Sequence, residues 1–168
     1  EADPVARALL SKAVVYVVPN MNPDGTERGH LRTNAAGENL NRAWRQPSAE
    51  KSPEVLYVRD HMHRTGVDFC MDVHGDEALP VNFLAGYYGI PDLAPGHIKR
   101  FESFKSTLAR ISPDFQTAKG YPAAPAGKGN MDLCTNYVAH AFKACAMTLE
   151  MPFKDTEATP DERFGWSP

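Results

Sequence analysis

Four short apolar runs, separated by segments of helical pattern, limit the folds open to this chain. Each run is rich in apolar residues and has the length of a buried strand. The predicted strands are residues 13–19, 67–73, 81–88 and 144–149. The predicted helices between them are residues 53–64, 95–111 and about 130–140. Strands that alternate with helices predict an α/β fold, with a mixed, largely parallel sheet flanked by helices.

The chain around the first run carries further local signals. Asp3 followed by Pro4 is typical of a helix start, so we expect a helix up to Lys12. The Asn22–Gly25 block has proline at its second position and glycine at its fourth, as β-turns do. Residues 25–47 are rich in Gly, Asn and Arg, which predicts a long functional loop.

Composition argues against several classes of partner. A chain of 168 residues fits one domain with a sizeable core, and a net charge of -3 does not indicate a nucleic-acid or anionic-membrane partner. No apolar run approaches the roughly 20 residues of a membrane span.

Cys70, Cys134 and Cys145 lie in apolar stretches without metal-type spacing, which predicts free buried thiols in a reducing compartment. We therefore expect a cytoplasmic protein; its oligomeric state is left open.

Polar side chains that can carry chemistry follow the predicted strands. His74 and Glu150 come after two of the runs, and Arg32 and Arg42 lie in the loop after the first. Because ligand sites in α/β sheets lie beyond the carboxyl ends of the strands, we expect these four groups to converge. One guanidinium can bind a carboxylate through two parallel hydrogen bonds, and a second can stabilise negative charge that develops during a reaction. This combination predicts a hydrolase.

The histidine and the glutamate each have a structural alternative. Asp72, two positions before His74, shares its strand face, and a carboxylate on the far ring nitrogen is usual for a metal-binding histidine. Glu150 is the only acid in residues 144–153, and partial burial raises a carboxyl pKa towards that of a general base. The alternatives are a structural histidine and a strand-end acid that reaches solvent.

The two arginines also have an alternative, as surface charges or as structural ion pairs with Glu38 or Asp24. Two arginines embedded with Asn34 and Asn41 favour the functional interpretation over that alternative.

The other histidines and the tryptophans are expected to be ordinary. His61 and His63 on a polar helix face, and His97 near a helix start, are expected to be solvated. Trp44 and Trp166 are expected to pack, with Trp44 a candidate for the mouth of the cleft.

Five sequence blocks resemble the zinc metallocarboxypeptidase family, and specifically its cytosolic carboxypeptidase-like branch. In chain order they are N-P-D-G at 22–25, R-T-N at 32–34, N-L-N-R-A-W at 39–44, D-V-H-G-D-E at 72–77 and T-L-E at 148–150. Together they extend over roughly Val14 to Asp155. The resemblance implies the family's fold and zinc-dependent hydrolysis of the C-terminal peptide bond of a peptide or protein tail.

The resemblance also implies roles for single residues. His74 matches the family's last zinc ligand, and Glu150 matches the glutamate that activates the attacking water. Arg32 matches the arginine that polarises the scissile carbonyl. Asn41 and Arg42 match the pair that grips the C-terminal carboxylate of the substrate. Tyr121 is a candidate for the family's substrate-closing tyrosine.

One part of the family pattern has no counterpart here. The family carries an H-x-x-E zinc pair before its N-P-D-G block, and residues 1–21 contain no histidine. We therefore expect residues 1–168 to form the C-terminal portion of a zinc carboxypeptidase-like catalytic domain, an incomplete domain by itself. One zinc ion is expected, with two of its ligands and a β-rich N-terminal domain in an upstream segment. Residues 1–168 alone are expected to bind zinc weakly and to hydrolyse nothing.

The sequence leaves three functions open. The first is a carboxypeptidase, with acidic C-terminal residues as one candidate substrate and Arg28, Arg45 or Lys128 as candidate partners for them. The second is a zinc deacylase of N-acyl amino acids, against which the N-L-N-R-A-W block argues. The third is a non-catalytic pseudoenzyme that binds peptide tails, which an upstream sequence without H-x-x-E would favour.

Overall fold

The computed structural model describes residues 3–165 and contains five α-helices and three β-strands in that range. The helices are α1 (Pro4–Leu10), α2 (Pro23–Arg28), α3 (Pro53–Thr65), α4 (Pro95–Ile111) and α5 (Cys134–Phe142), with one 3-10 turn at Leu40–Arg42. The strands are β1 (Phe69–Asp76), β2 (Phe83–Ala85) and β3 (Cys145–Pro152).

The three strands form one mixed sheet in the order β1-β3-β2. β1 pairs with β3 in parallel along its whole length, and β2 pairs with β3 in antiparallel orientation. This register places His74 and Phe83 on either side of Glu150. The mixed sheet flanked by helices confirms the predicted fold class.

The core lies where helices α4 and α5 pack against β3. Its fully buried side chains include Val55, Phe101, Val138 and Met147. Burial of each such side chain contributes about 1.5–3 kcal/mol, which holds β3 in the centre of the sheet.

The prediction of a buried strand at residues 13–19 is wrong. Val14, Tyr16 and Val17 are exposed, to 78%, 60% and 76%, and the segment forms no strand. A strand needs neighbours for its backbone amides and carbonyls. No strand within residues 3–165 pairs with this segment.

The Asn22–Gly25 block begins α2 rather than forming a separate β-turn. The Asn22 side chain caps the helix by accepting a hydrogen bond from the Gly25 amide at 3.0 Å, and Pro23 occupies the first turn, where its missing N–H costs nothing. A Cβ atom at position 25 would overlap the Asn22 side-chain amide, so this capped turn requires glycine.

Other segment predictions are confirmed with shifted ends. Helix 95–111 occurs as predicted, helix 53–64 ends one residue later, and α5 begins at Cys134 rather than near residue 130. The strand predicted at 67–73 runs on to Asp76, so His74 lies inside β1, while the strand predicted at 81–88 shrinks to β2.

Individual side chains correct some smaller expectations. His97 is buried, against the prediction of solvation, and its Nε2 lies 2.7 Å from the carbonyl oxygen of Ala144. Trp44 is buried as predicted, whereas Trp166 lies outside the described residues. All three cysteines are free; Cys134 is buried and the other two are partly exposed.

Within residues 3–165 the helices are too short or too polar to cross a membrane.

Candidate active site

The parallel pairing of β1 and β3 brings the predicted zinc ligand beside the predicted base. His74 Nδ1 lies 3.8 Å from Oε1 of Glu150. The other ring nitrogen, Nε2, lies 3.0 Å from Oδ2 of Asp72, which confirms that Asp72 and His74 share a face of the strand. The hydrogen bond to Asp72 is the largest cause that raises the pKa of His74, and the negative charges of both carboxylates add to it.

Glu150 is a buried acid with an unusual proton affinity. Its exposed fraction is 5%, and burial raises its pKa to about 7. The positive charge available on His74 opposes this rise, while the nearby carboxylates of Asp76, Asp72 and Glu77 reinforce it. A carboxyl group whose pKa is close to 7 can exchange a proton with substrate near neutral pH.

Arg32 reaches the same edge of the sheet from the loop after α2. Its Nη2 donates to Oε1 of Glu77 at 3.1 Å. The Arg32 charge also acts on the pKa values of His74 and Asp76, lowering both. Arg32 therefore pairs with an acid that directly follows β1, rather than with Glu38 or Asp24.

The loop that carries Arg32 is fixed by two asparagines. Asn22 Nδ2 donates to the carbonyl oxygen of Thr33 at 3.0 Å. Asn34 is buried, and its Oδ1 accepts hydrogen bonds from the amides of Ala36 and Glu38, both at 3.0 Å. These bonds satisfy backbone groups of the loop, and Nδ2 of Asn34 links it to the carboxylate of Glu54 on α3. Asn34 is thus a structural residue of this loop.

Asn41 and Arg42 lie in the 3-10 turn, on the loop side of the site. Oδ1 of Asn41 accepts a hydrogen bond at 2.9 Å from the amide of Cys134, the first residue of α5. None of the hydrogen bonds in the described part of the chain uses Nδ2 of Asn41. Arg42 is exposed, and its Nη1 donates to the carbonyl oxygen of Asn41 at 2.6 Å.

The structure therefore brings together three of the five predicted site residues by contact or charge: His74, Glu150 and Arg32. Asn41 and Arg42 belong to a separate hydrogen-bonded group that leads to α5. No ion pair in residues 3–165 engages the Arg42 guanidinium.

Asp76 is a functional candidate that sequence reasoning missed. It is buried, and its Oδ1 accepts from the amides of Ala78 at 2.8 Å and Leu79 at 2.5 Å, while its Oδ2 accepts from the Tyr121 hydroxyl. Burial opposes ionisation, but these hydrogen bonds and the Arg32 charge together lower the pKa of Asp76. Its position two residues after His74, on the same strand face, was the available signal.

Tyr121 connects the site to a neighbouring cavity. Burial, and next its bond to Asp76, raise the pKa of Tyr121 well above its usual value. Its ring packs edge-on against Phe83, the residue opposite Glu150 in the sheet. Tyr121 and Phe83 both line a cavity of about 390 Å³.

The cavity beside Tyr121 is lined by three lysines, Lys105, Lys119 and Lys128. Lys105 lies 3.7 Å from Glu102, and Lys119 is bonded to Glu157. Lys128 has no carboxylate partner among the described residues. Among the described residues, the cavity therefore offers one lysine without a carboxylate partner, on a lining that also includes Phe83, the neighbour of Glu150 in the sheet.

The donor chemistry of His74 fits a zinc ligand. With one ring nitrogen bonded to Asp72, the other nitrogen keeps its lone pair for a metal ion, the arrangement common to metal-binding histidines. Within residues 3–165, however, no group of three or more His, Cys, Asp or Glu side chains is arranged to hold a metal ion. The described part of the chain thus provides a partial donor set.

Sequence comparison identifies relatives of this chain. The chain matches the family model described as zinc carboxypeptidase over residues 1–159. The protein ZMO1242 of Zymomonas mobilis is 58% identical over 168 residues, which are 100% of this chain and 44% of that protein. Human cytosolic carboxypeptidase 4 is 38% identical over 91 residues, 51% of this chain and 8% of the human protein.

The solved structures that resemble this chain are also metallo-carboxypeptidases. A metallo-carboxypeptidase from Burkholderia cenocepacia superposes with a TM-score of 0.94 at 49% identity, over 98% of this chain and 43% of that one. A metallo-carboxypeptidase from Pseudomonas aeruginosa, in complex with (2-guanidinoethylmercapto)succinic acid, superposes with a TM-score of 0.87 at 47% identity, over 89% of this chain and 40% of that one. The chain spans less than half the length of these bacterial relatives.

Proposed function

Because this chain belongs to the zinc carboxypeptidase family, we propose that it is the C-terminal portion of the catalytic domain of a zinc-dependent metallocarboxypeptidase. The full-length protein hydrolyses the C-terminal peptide bond of peptides or protein tails. One observation carries the proposal: His74 Nδ1 and Glu150 Oε1 lie 3.8 Å apart near the carboxyl ends of paired strands, and the Arg32 charge acts on the same histidine.

His74 is the one zinc ligand that we assign to this chain, through Nδ1, and an upstream segment supplies the other two. When bound, a zinc ion polarises a carbonyl group and lowers the pKa of a water molecule. Asp72 holds the imidazole by Nε2 and so keeps Nδ1 directed away from itself. The chain covers 44% of the Zymomonas relative, so a protein of that length has room for a further segment.

Glu150 acts as the general base and then as the general acid. Its carboxylate accepts a proton from the attacking water and returns it to the amine of the leaving amino acid. Burial, which raises its pKa to about 7, supports this role because both protonation states are then accessible near neutral pH.

The arginines act on the two charged groups of the substrate. Arg32 donates to the scissile carbonyl oxygen, where negative charge develops in the transition state. Arg42 takes the terminal carboxylate with two parallel N–H donors, and Nδ2 of Asn41 adds a third. Fixing the carboxylate in this way sets which peptide bond reaches Glu150, so cleavage occurs at the chain end.

The cavity beside Tyr121 receives the side chain of the released residue, and Lys128 favours an acidic one. Of the other candidate cations, Arg45 lies 3.6 Å from Asp132, and Arg28 lies in the last turn of α2 outside the cavity lining. Glu-, Lys- and Phe-terminated peptides test this preference. We expect the Glu-terminated peptide to have the highest kcat/KM, and equal values for the three would contradict it.

We propose the cytoplasm as the location of this protein. The naming of several relatives as cytosolic carboxypeptidases supports it, as do the three free thiols.

The main experiment measures release of the C-terminal amino acid by the zinc-loaded full-length protein and its Glu150→Gln variant. The substitution keeps the shape of the side chain but removes the base, so we expect kcat to fall by about 10²–10⁴-fold. Glu27→Gln, at an exposed acid on α2, is the control and keeps the wild-type rate. Wild-type activity in the Glu150→Gln variant would contradict the assigned base, and an inactive wild-type protein would contradict the function.

The grip on the terminal carboxylate has its own test. For Arg42→Ala we expect KM to rise by about tenfold or more, since a charge-assisted pair is lost. A matched peptide with an amidated C-terminus lacks the carboxylate, so Arg42→Ala is expected to leave its weak turnover unchanged. An equal loss on both peptides would assign Arg42 a structural role.

A further inference from the structure

We propose that Glu77 is a positioning residue for Arg32, holding its guanidinium so that the remaining N–H donors face the substrate carbonyl. This inference rests on the proposed function, because it concerns how Arg32 is prepared for its role there. It adds Glu77 to the residues on which the reaction depends, although Glu77 itself touches no reacting atom.

The contact engages only part of the guanidinium. Nη2 of Arg32 donates to Oε1 of Glu77 at 3.1 Å, across a separation of 45 residues in the chain. A guanidinium carries five N–H donors, and this contact leaves those on Nη1 and Nε available. Among residues 3–165, Glu77 is the one carboxylate that forms an ion pair with Arg32. The geometry thus anchors one corner of the fork and leaves the others for a ligand.

Glu77 stands on a rigid support although its own side chain is half exposed. Its neighbour Asp76 is buried and accepts hydrogen bonds from the amides of Ala78 and Leu79 and from the Tyr121 hydroxyl. The carbonyl oxygen of Asp76 also accepts from the amide of Phe153 at 3.2 Å. These bonds fix the backbone on both sides of Glu77 at the end of β1, so its carboxylate projects from a defined point.

The backbone around Arg32 is fixed from the other side of the site. Asn22 donates to the carbonyl oxygen of Thr33. The side chain of buried Asn34 accepts from two amides of its own loop and donates to the Lys51 carbonyl oxygen and the Glu54 carboxylate, which lies on α3. The backbone at Arg32 is therefore held, whereas without an acidic partner its long side chain would sample several rotamers. An acidic partner removes that freedom before substrate arrives, which is pre-organisation of the donor.

An exposed ion pair of this kind contributes little to the stability of a protein. The side chains of Arg32 and Glu77 are 55% and 45% exposed. Removing the pair is therefore expected to change turnover rather than unfolding. This separates a positioning role from a merely structural one.

The test is a double-mutant cycle in the zinc-loaded full-length protein, with the rate of C-terminal residue release as the readout. We expect Glu77→Ala to lower kcat by about tenfold with KM nearly unchanged, because a misplaced donor weakens transition-state binding. Glu77→Gln keeps an acceptor oxygen and recovers part of the loss. Arg32→Ala lowers kcat by about 10²–10³-fold, and adding Glu77→Ala to it has no further effect.

Glu27→Gln serves as the control for loss of an exposed negative charge and keeps the wild-type kcat. If the losses from Glu77→Ala and Arg32→Ala multiply, or if Glu77→Ala acts mainly through KM, Glu77 does not position Arg32 and the proposal is wrong. Either result leaves the carboxypeptidase function itself intact.

Crystal structures of the wild-type and Glu77→Ala proteins provide the readout that does not depend on activity. We expect one Arg32 conformer, bonded to Glu77, in the wild type, and several conformers in the variant. An unchanged Arg32 conformer in the variant would overturn the positioning role. A zinc-loaded wild type without peptidase activity would instead overturn the proposed function, and the Arg32 conformers would then still decide the role of Glu77.

Discussion

Two apolar stretches of this chain differ in structure: one is exposed and forms no strand, and the other is the central strand of the sheet. Residues 13–19 contain four valines and a tyrosine, the composition of a strand, yet they are exposed and form none. β3 is built mainly from alanine, methionine, leucine and cysteine, but it is the central strand, and Ala146 and Met147 are fully buried. The stretch with the weaker strand composition therefore forms the better strand.

The difference lies in the neighbours. β3 has β1 on one side and β2 on the other, and helices α4 and α5 pack on it. Residues 13–19 pair with no strand in the described part of the chain, and Tyr16 contacts α3 through the edge of His61. A strand is stabilised by cross-strand pairs and by burial of its faces, so composition without neighbours is insufficient.

The largest expected effect compares one substitution in each stretch. Met147→Asp places a charge in the core, and we expect it to lower the free energy of unfolding by more than about 4 kcal/mol. Val17→Asp in the same chain is expected to change it by less than about 0.5 kcal/mol. Chemical denaturation of both variants measures the difference. Similar losses would show that residues 13–19 are packed in solution.

The second prediction concerns the same substitution, Val17→Asp, in the full-length protein. There we expect an upstream segment to cover the apolar residues 13–19, since exposed apolar patches of this kind usually mark contact surfaces. Val17→Asp is then expected to cost about 3 kcal/mol. Lys12→Asp, one residue before the run, is the control and stays near zero. A Val17→Asp effect as small in the longer protein as in residues 1–168 would contradict the covering segment.

The third prediction concerns charge in the buried stretch. Burial raises the pKa of Glu150 to about 7 from an ordinary 4.5, so the ionised form destabilises the metal-free folded protein. This penalty is absent below about pH 4.5, grows as the pH rises through the folded pKa and is complete above about pH 7. We expect Glu150→Gln to raise the free energy of unfolding by about 2 kcal/mol at pH 8.

The control for this pH dependence is Glu27→Gln, where the acid is exposed and no gain is expected at any pH. Denaturation of both metal-free variants at pH 4.5 and pH 8 provides the measurement. A Glu150→Gln gain that is equal at the two pH values would indicate a packing effect rather than relief of charge burial.

The smallest effect compares two helix caps. Asn22 caps α2 and also holds Thr33, so Asn22→Ala is expected to cost about 1 kcal/mol. Asp3 caps α1 in the same way, but α1 has no buried residue. Asp3→Ala is therefore expected to change global unfolding by only about a few tenths of a kcal/mol. Equal costs measured by denaturation would contradict the claim that α1 is peripheral.

Much of the site is readable from residue spacing. Asp72 and His74 share a strand face because side chains alternate along a strand, and both His74 and Glu150 fall near strand ends. The ion-pair partner of Arg32 could not be predicted from the sequence. Glu77 is 45 residues away in the chain, and only the folded loop brings the two side chains together. The same holds for the Tyr121–Asp76 contact and for the bond from Cys134 to Asn41, which join distant segments.

The sequence by itself determined the α/β class, helix α4 and the start of α3, because these depend on local propensity, on proline in the first helical turn and on short-range spacing. The tertiary structure alone decided that β3 is central, that residues 13–19 form no strand, and that Glu150 is buried enough for its pKa to reach about 7. Pairing and burial depend on which segments become neighbours, and composition does not encode the identity of those neighbours.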